Sequence, residues 1–308
     1  MISIRSIRRG AVFLLLFALL CTGCSNHENV RLCNYRNMSI PDEVLTVSGE
    51  DVQFAIQMKL AEKNALVPKS GVPLIVEDGD VVSLQIAEDG KISKAITITV
   101  GNEDFMEGFD KAIIGKHQHE TFFFQNGENK YTCQVTDIST LAETVTDKLA
   151  NAYFDCTSVG EVIRITREEI VEHRVFDYMY SYLLNNSMIR GTKERNAYIQ
   201  RSVDQITSDA ERNGCSLDVY LESVLGTSLQ AYKQMAGVFY DEYLILEALI
   251  HQEGIVFSDE EFESYLRIFS EDLGMDTDDV LFSYGEEVIR YIMYYEESYS
   301  ILLQYAER

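Results

Sequence analysis

Basic residues are in short supply in this chain, with 26 Lys and Arg against 50 Asp and Glu over 308 residues and a formal charge of −24. A polyanion of this size is repelled by nucleic acid and by anionic headgroups, which argues against RNA or DNA as a partner. Proline is scarcer still. Pro41, Pro68 and Pro73 are the only three, so no proline interrupts a helix anywhere beyond residue 73. No apolar run is long enough to cross a bilayer, since the longest, Ala11 to Leu20, is half of the roughly 20 residues a spanning helix needs. Of the six cysteines, the four other than Cys21 and Cys24 are widely spaced with no CxxC pair among them, which points away from a metal or redox motif. Cys33, Cys133, Cys156 and Cys215 are even in number, and outside the cytoplasm disulfides among them stay open. Of the five histidines, His117 and His119 alternate as on one strand face and are expected at a solvated hairpin edge. No metal and no cofactor are expected.

What is present begins with Arg5, Arg8 and Arg9 ahead of the Ala11–Leu20 run, which ends at Cys21-Thr22-Gly23-Cys24. That is the pattern of a bacterial lipoprotein signal over residues 1–23, with Cys24 as the lipidated N-terminus. Leu20 stands four places before Cys24 rather than the usual three. Removing residues 1–23 takes away three basic and no acidic residues, moving the charge from −24 to −27. The expected location is therefore the cell membrane, lipid-anchored on the extracytoplasmic face, with an acidic body held off the surface.

The 46% apolar content is ample for folded cores. The expected division is a tether and N-terminal helical segment (24–75), a small sheet domain (76–140) and a helical domain (141–308). Residues 25–34 are polar and expected to be a flexible tether, and Met38 to Val47 a short extended piece. Ser48 is expected to cap a helix reaching Asn64, with Val52, Ala55, Ile56, Met58 and Leu60 as its apolar face. From Gly79 to Ile138 the period is two: Val82, Leu84 and Ile86 alternate, a turn follows at Glu88-Asp89-Gly90, and Ile96, Ile98 and Val100 alternate again. A short helix is expected over 107–114, then strands at 121–124 and 130–135 around a turn at Gln125-Asn126-Gly127. Beyond residue 141 the pattern is helical, over 158–190, 193–213, 216–225, 228–253, 258–273 and 285–306. Ser216 and Ser228 are expected N-caps, Ser258 to Glu261 a capping box, and Gly254 and Gly274 helix stops. Val238 to Ile250 is apolar on nearly all sides and is expected to be the central buried helix.

The run Val100-Gly101-Asn102-Glu103-Asp104-Phe105-Met106-Glu107-Gly108-Phe109, followed by Ala112-Ile113-Ile114-Gly115, resembles the strand-to-helix turn of the FKBP-type prolyl isomerase domain of trigger factor. Residues 141–308, above all Tyr243 to Phe262, look like the helical chaperone domain that trigger factor shares with SurA-type chaperones. The resemblance implies an α+β fold: a small antiparallel FKBP-like sheet with one cross-sheet helix, followed by an all-α chaperone domain. It also implies a protein-folding factor whose partners are unfolded or newly exported polypeptides. Fewer than 55 residues would separate Cys24 from the sheet, with no basic cluster among them, so ribosome binding is not expected.

Carried over residue by residue, the resemblance places Phe105, Met106 and Phe109 on the floor of an isomerase pocket and Tyr131 on its last strand. Rotation about an X-Pro bond faces a barrier of about 18–20 kcal/mol, and an apolar cleft that strips water from the imide lowers it without a nucleophile. The other wall falls on Ile86, Ile92-Ser93 and Ile96, where the family has aromatic and acidic groups. The loop that should carry a tyrosine is cut to 125–129. The same four residues also suit a plain sheet–helix core, so weak or lost activity is expected. In the helical domain, Tyr178, Met179 and Tyr182, and Tyr291, Met293, Tyr294 and Tyr295, are candidates for gripping clients, because tyrosine and methionine suit adaptable apolar contact; interhelical core is the alternative for each. A fully active foldase, or a lipoprotein dedicated to one secreted partner, are the competing functional readings. A solute-binding fold is disfavoured because β-α repeats are missing.

Overall fold

The computed structural model describes residues 29–36, 38–88, 91, 94–103 and 105–307. The expected signal, Cys24, the start of the tether, and the positions Asp89, Gly90, Ile92, Ser93 and Asp104 lie outside the described residues. In chain order come β1 (Val30–Arg31), β2 (Met38–Ser39), α1 (Asp42–Leu45), α2 (Gly49–Glu62), β3 (Leu66–Pro68), β4 (Val81–Glu88), β5 (Lys94–Thr99) and α3 (Phe109–Ile113). Then follow β6 (Thr121–Asn126), β7 (Asn129–Leu141), α4 (Asp147–Phe154), α5 (Val159–Asn186), β8 (Met188–Ile189) and α6 (Lys193–Arg212). The chain ends with α7 (Leu217–Ser223), α8 (Leu229–Gln252), α9 (Asp259–Leu273), α10 (Thr277–Tyr284), α11 (Glu286–Tyr305) and β9 (Ala306–Glu307). Two compact units emerge: Thr46–Val171, and the described residues among 1–45 and 172–308. The boundaries expected at 75/76 and 140/141 both fall inside the first of these.

In the first unit β7 is the shared strand. It pairs antiparallel with β4 along one edge, β5 lies beyond β4, and β6 and then β3 take its other edge. β7 is longer than the expected 130–135, and β3 was not anticipated, because three residues carry no period of their own. The alternation does mark the buried face: Val82, Leu84 and Ile86, Cys133 and Val135, and Phe122 pack with Phe109 and Ile113 of α3. His117 and His119 do not lie on a hairpin strand. His117 makes an isolated bridge to Ile75, and His119 turns at φ 68°. A second core joins α2, α4 and the start of α5 through Val52, Ile56, Leu60, Leu149, Ala150 and Val162. α2 starts at a full capping box, with Ser48 and Asp51 each bonding the other's backbone at 3.1 Å, so its local signal was sufficient.

In the second unit the helices match the expected spans to within a few residues, and Ser216, Ser228 and Ser258 each cap as expected. α10 was missed, as was α4 of the first unit; each is eight residues long. α8 is the central helix, buried at Phe239, Tyr240, Leu244 to Leu246 and Ala248 to Ile250, although Val238 at its expected edge is 47% exposed. Gly237 lets α6 come close: a Cβ there would stand 2.4 Å from the Arg195 guanidinium, which is fixed by two bonds to Asp241 at 2.8 and 2.9 Å.

From Val30 onward the expected tether is docked, not free. β1 pairs with β8 and β2 with β9, and Cys33 N donates to Ser187 Oγ at 3.1 Å. Residues 38–47 are only partly extended, since Asp42–Leu45 makes a helical turn. The cause is Tyr35, 1% exposed, whose ring meets Tyr305 edge-on and whose hydroxyl donates to Glu253. Arg36 at 2.7 Å and the Tyr305 hydroxyl at 2.8 Å reach the same carboxylate. Burial raises the Glu253 pKa, but the bonds from Tyr35, Arg36 and Tyr305 outweigh it and leave it below the ordinary carboxylate value. Cys33, Cys133, Cys156 and Cys215 are free thiols, and burial pushes that of Cys133 up to about 11.

Two outcomes follow. Phe109→Ala, at a fully buried ring, is expected to cost the first unit about 3–5 kcal/mol in denaturant unfolding. For Glu253, whose folded pKa is depressed, the stabilisation is present above 4.5 and lost as pH falls below it. Glu253→Gln should therefore melt below the wild type at pH 7, with the gap closing in acid, as followed by calorimetry from pH 7 to 3.

Candidate functional site

An aromatic row crosses the inner face of the sheet. Phe109, with Gly108 before it at φ 75°, sits at the start of α3 and meets Phe124 at 5.0 Å, Phe105 at 5.1 Å and Phe122 at 5.9 Å between ring centres. Phe124 continues the row to Tyr131 at 6.5 Å. Of the four expected pocket residues, Phe109 is wholly buried, Met106 and Tyr131 are half-buried against the same core, and Phe105 is 36% exposed. The structure thus brings all four together but makes Phe109 core. The loop that presents Phe105 and Met106 is pinned by the Asp110 carboxylate, which accepts from Gly101 N at 2.7 Å and Glu103 N at 2.9 Å. Gly101 is required there: its φ is 101°, and a Cβ would lie 2.3 Å from Asp78 Oδ1.

The sequence reading missed Phe124 and Glu88. Glu88 stands opposite Tyr131 in register, and the Tyr131 hydroxyl lies 3.5 Å from its carboxylate and from the Asn129 amide. Lys91 pairs with Glu88 at 3.1 Å. The row therefore ends in a small polar rim of its own. The signal was present, since Glu88 continues the Val82, Leu84, Ile86 alternation onto the same face. On the wall, Ile86 is buried and Ile96 half-buried. The hairpin after β6 is only Gly127-Glu128, so no long loop covers the row from that side. Chemically, the patch can strip water from an apolar segment laid across Phe105, and it offers a hydroxyl at Tyr131.

The expected client-gripping stretches turn inward. Met179 is fully buried, and Tyr291, Met293 and Tyr294 are buried as well; Tyr178, Tyr182 and Tyr295 are half-buried. The two stretches pack on each other, Phe176 and Tyr180 of α5 meeting Tyr295 of α11 at 5.4 and 5.3 Å. Four of these seven residues thus take the interhelical-core reading and not the client-gripping one, because α5 and α11 bury the same faces that carry the tyrosines. Apolar side chains that the helical unit does expose include Val224, Met235, Val238, Val256, Ile268 and Phe282, with Phe282 at 72%. Met235 and Val238 stand three apart on α8, Ile268 and Phe282 lie on α9 and α10, and Val224 and Val256 lie in the connections between helices. In the first unit a groove of about 360 Å³ runs between α2 and α5, with Val52, Ile56, Val145 and Ile163 on its walls and Gln53, Glu143 and Arg167 at its polar margin. Among the described residues no helix is long and apolar enough to cross a membrane, and no group of three or more His, Cys, Asp or Glu is placed to hold a metal.

No protein-family model matches the chain. Curated relatives are trigger factors: that of Pediococcus pentosaceus is 23% identical over 296 residues, covering 85% of this chain and 68% of its own. That of Streptococcus gordonii is 23% identical over 297 residues, covering 85% and 69%. The Limosilactobacillus reuteri protein is 21% identical, covering 82% and 65%, so the chain spans about two thirds of the length of these relatives. A solved structure of the trigger factor chaperone aligns with 90% of this chain and 73% of its own, at a TM-score of 0.42 and 18% identity. Sequence similarity over some 85% of the chain, a span too long to fit within either unit alone, makes this a trigger factor-like protein.

Proposed function

We propose that this protein is a chaperone for unfolded or newly exported polypeptides, held by a lipid on Cys24 at the extracytoplasmic face of the cell membrane, with an FKBP-like domain of weak or lost prolyl isomerase activity. The observation that carries the chaperone reading is the likeness to trigger factors across both units. The basic, apolar and small-residue order from Arg5 to Cys24 supports the anchor. The acidic body would resist sticking to the anionic surface on which it sits.

Weak isomerisation follows from the aromatic row. An imide is catalysed by a cleft that desolvates it, and here the floor residue Phe109 is sealed under its neighbours, Met106, Phe124 and Tyr131 are half-buried, and Phe105 is the most exposed of the group. A fully active foldase is the second reading, favoured by the Glu88–Tyr131–Asn129 rim, which could orient a peptide across Phe105.

The mature chain is expected to suppress aggregation of an unfolded client while leaving a proline-limited refolding phase near its uncatalysed time of about 10–100 s. Acceleration of that phase that disappears in Phe105→Ala would establish the foldase instead. Absence of both effects would remove the folding-factor reading. For the anchor, Cys24→Ser is expected to shift the chain from the membrane fraction to the soluble fraction and to abolish labelling by a radioactive fatty acid.

A further inference from the structure

In the helical unit β1 and β8 form a two-stranded ribbon that the chaperone reading leaves without a task. Arg31 stands opposite Met188 in register, and Val30 opposite Ile189. Side chains directly opposite on paired strands share a face, so the ribbon has two unlike ones. Val30 and Ile189 are half-buried, whereas Arg31 is exposed and Met188 is 52% exposed. Just past the ribbon Arg190 donates its backbone N–H to the Asn29 carbonyl at 2.7 Å, and its side chain is exposed, as is that of Lys193. Among the described residues the side chains of Arg31, Arg190 and Lys193 have no ion-pair or hydrogen-bond partner. Their setting is unusual for this chain. It carries 50 acids in 308 residues, yet none falls within 29–41 or within 178–193, the two stretches that the ribbon joins. Glu28, Asp42, Asp177 and Glu194 bound them.

We infer that Arg31, Met188, Arg190 and Lys193 form a face that rests on anionic phospholipid headgroups, so that the tethered chain sits with this part of its helical unit against the membrane. The inference rests on the reading of Cys24 as the lipid-bearing residue. From Cys24 to Val30 is six residues, which no chain can stretch beyond about 20 Å whatever its path. The ribbon is therefore the part of the helical unit held nearest the anchor.

Charge then selects the orientation. Guanidinium and ammonium groups are natural partners of phosphate, and their attraction to an anionic surface fades within a screening length of about 10 Å, so it acts only on cations kept close. Met188 adds an apolar side chain that can enter the interface beside them. All 50 acids lie outside the two stretches, so other orientations bring like charge against the headgroups. An acidic body is in this way repelled as a whole and yet docked at one place.

The test uses the chain from Ser25 onward with a short histidine tag ahead of it, bound to vesicles through a nickel-chelating lipid, so that the face is tested whether or not Cys24 is lipidated in the cell. The photo-cross-linker benzoylphenylalanine replaces Met188 in one sample and Phe282, 72% exposed in the same unit, in another, and cross-links to lipid are counted. On vesicles of phosphatidylcholine with phosphatidylglycerol, the yield at 188 is expected to exceed that at 282 about tenfold. On phosphatidylcholine alone the difference should vanish. R31Q/R190Q/K193Q should lower the yield at 188 about tenfold or more, since each cation at an anionic surface is worth about a factor of five in occupancy. Salt at about 1 M, which cuts the screening length to about 3 Å, should do the same. K94Q/K111Q/K148Q removes as many exposed cations from the first unit and should leave the yield intact. Equal yields at the two positions, indifference to phosphatidylglycerol, persistence in the first triple variant or an equal loss in the second would each overturn the docked face. Absence of a fatty acid on Cys24 would count against the anchor and not against the face.

Discussion

Carboxylates bonded to tyrosine hydroxyls are the interaction on which much of this molecule depends. With nearly twice as many acids as bases, a carboxylate that enters an interface cannot count on a cation. A hydroxyl offers a donor without a second charge to strip of water, which is the costly part of a buried ion pair. Glu253 takes Tyr35 and Tyr305, Glu242 takes Tyr291, Glu296 takes Tyr265, and Glu88 lies beside Tyr131. Among the cations of the helical unit, Arg36 meets Glu253 at the close of α8 and Arg195 of α6 meets Asp241 of α8.

The same economy explains why the tyrosine-rich stretches are not surface patches. Their rings fill the space between α5 and α11 while their hydroxyls reach acids, so one residue type serves both the apolar and the polar demand of the seam. It also explains the docking of the N-terminal segment. Tyr35 and Arg36 both end on Glu253 at the close of α8, which fastens this segment to the helical unit. In the first unit phenylalanine takes the equivalent place, and the aromatic row from Phe105 to Phe124 needs no polar partner until it reaches Tyr131.

Much of this was legible before any coordinates. Helix starts at Ser48, Ser216, Ser228 and Ser258 were readable because a cap is made by residues three apart. The inner face of β4 and its partners was readable because alternation is a property of the strand itself. The strand-to-helix turn from Val100 to Gly115 was readable because its glycines mark backbone at positive φ, as Gly101, Gly108 and Gly115 are. Of the candidate site, Phe105, Met106, Phe109 and Tyr131 were found as a group, whereas Phe124 and Glu88 were overlooked, although the strand period pointed to both.

The sequence by itself determined the local elements, the acidic character and the likeness to trigger factors, since each rests on neighbours a few residues apart or on composition. The tertiary structure alone decided what those elements touch. It gave β3 its place on the far end of β7, paired β1 with β8 and β2 with β9, and turned the tyrosines of α5 and α11 inward. Two-residue strands carry no period, and a tyrosine on a helix reads alike whether its face meets water or another helix. Partners more than a hundred residues apart, such as Tyr35 and Glu253, are chosen by packing, and packing leaves no mark on the chain until it folds.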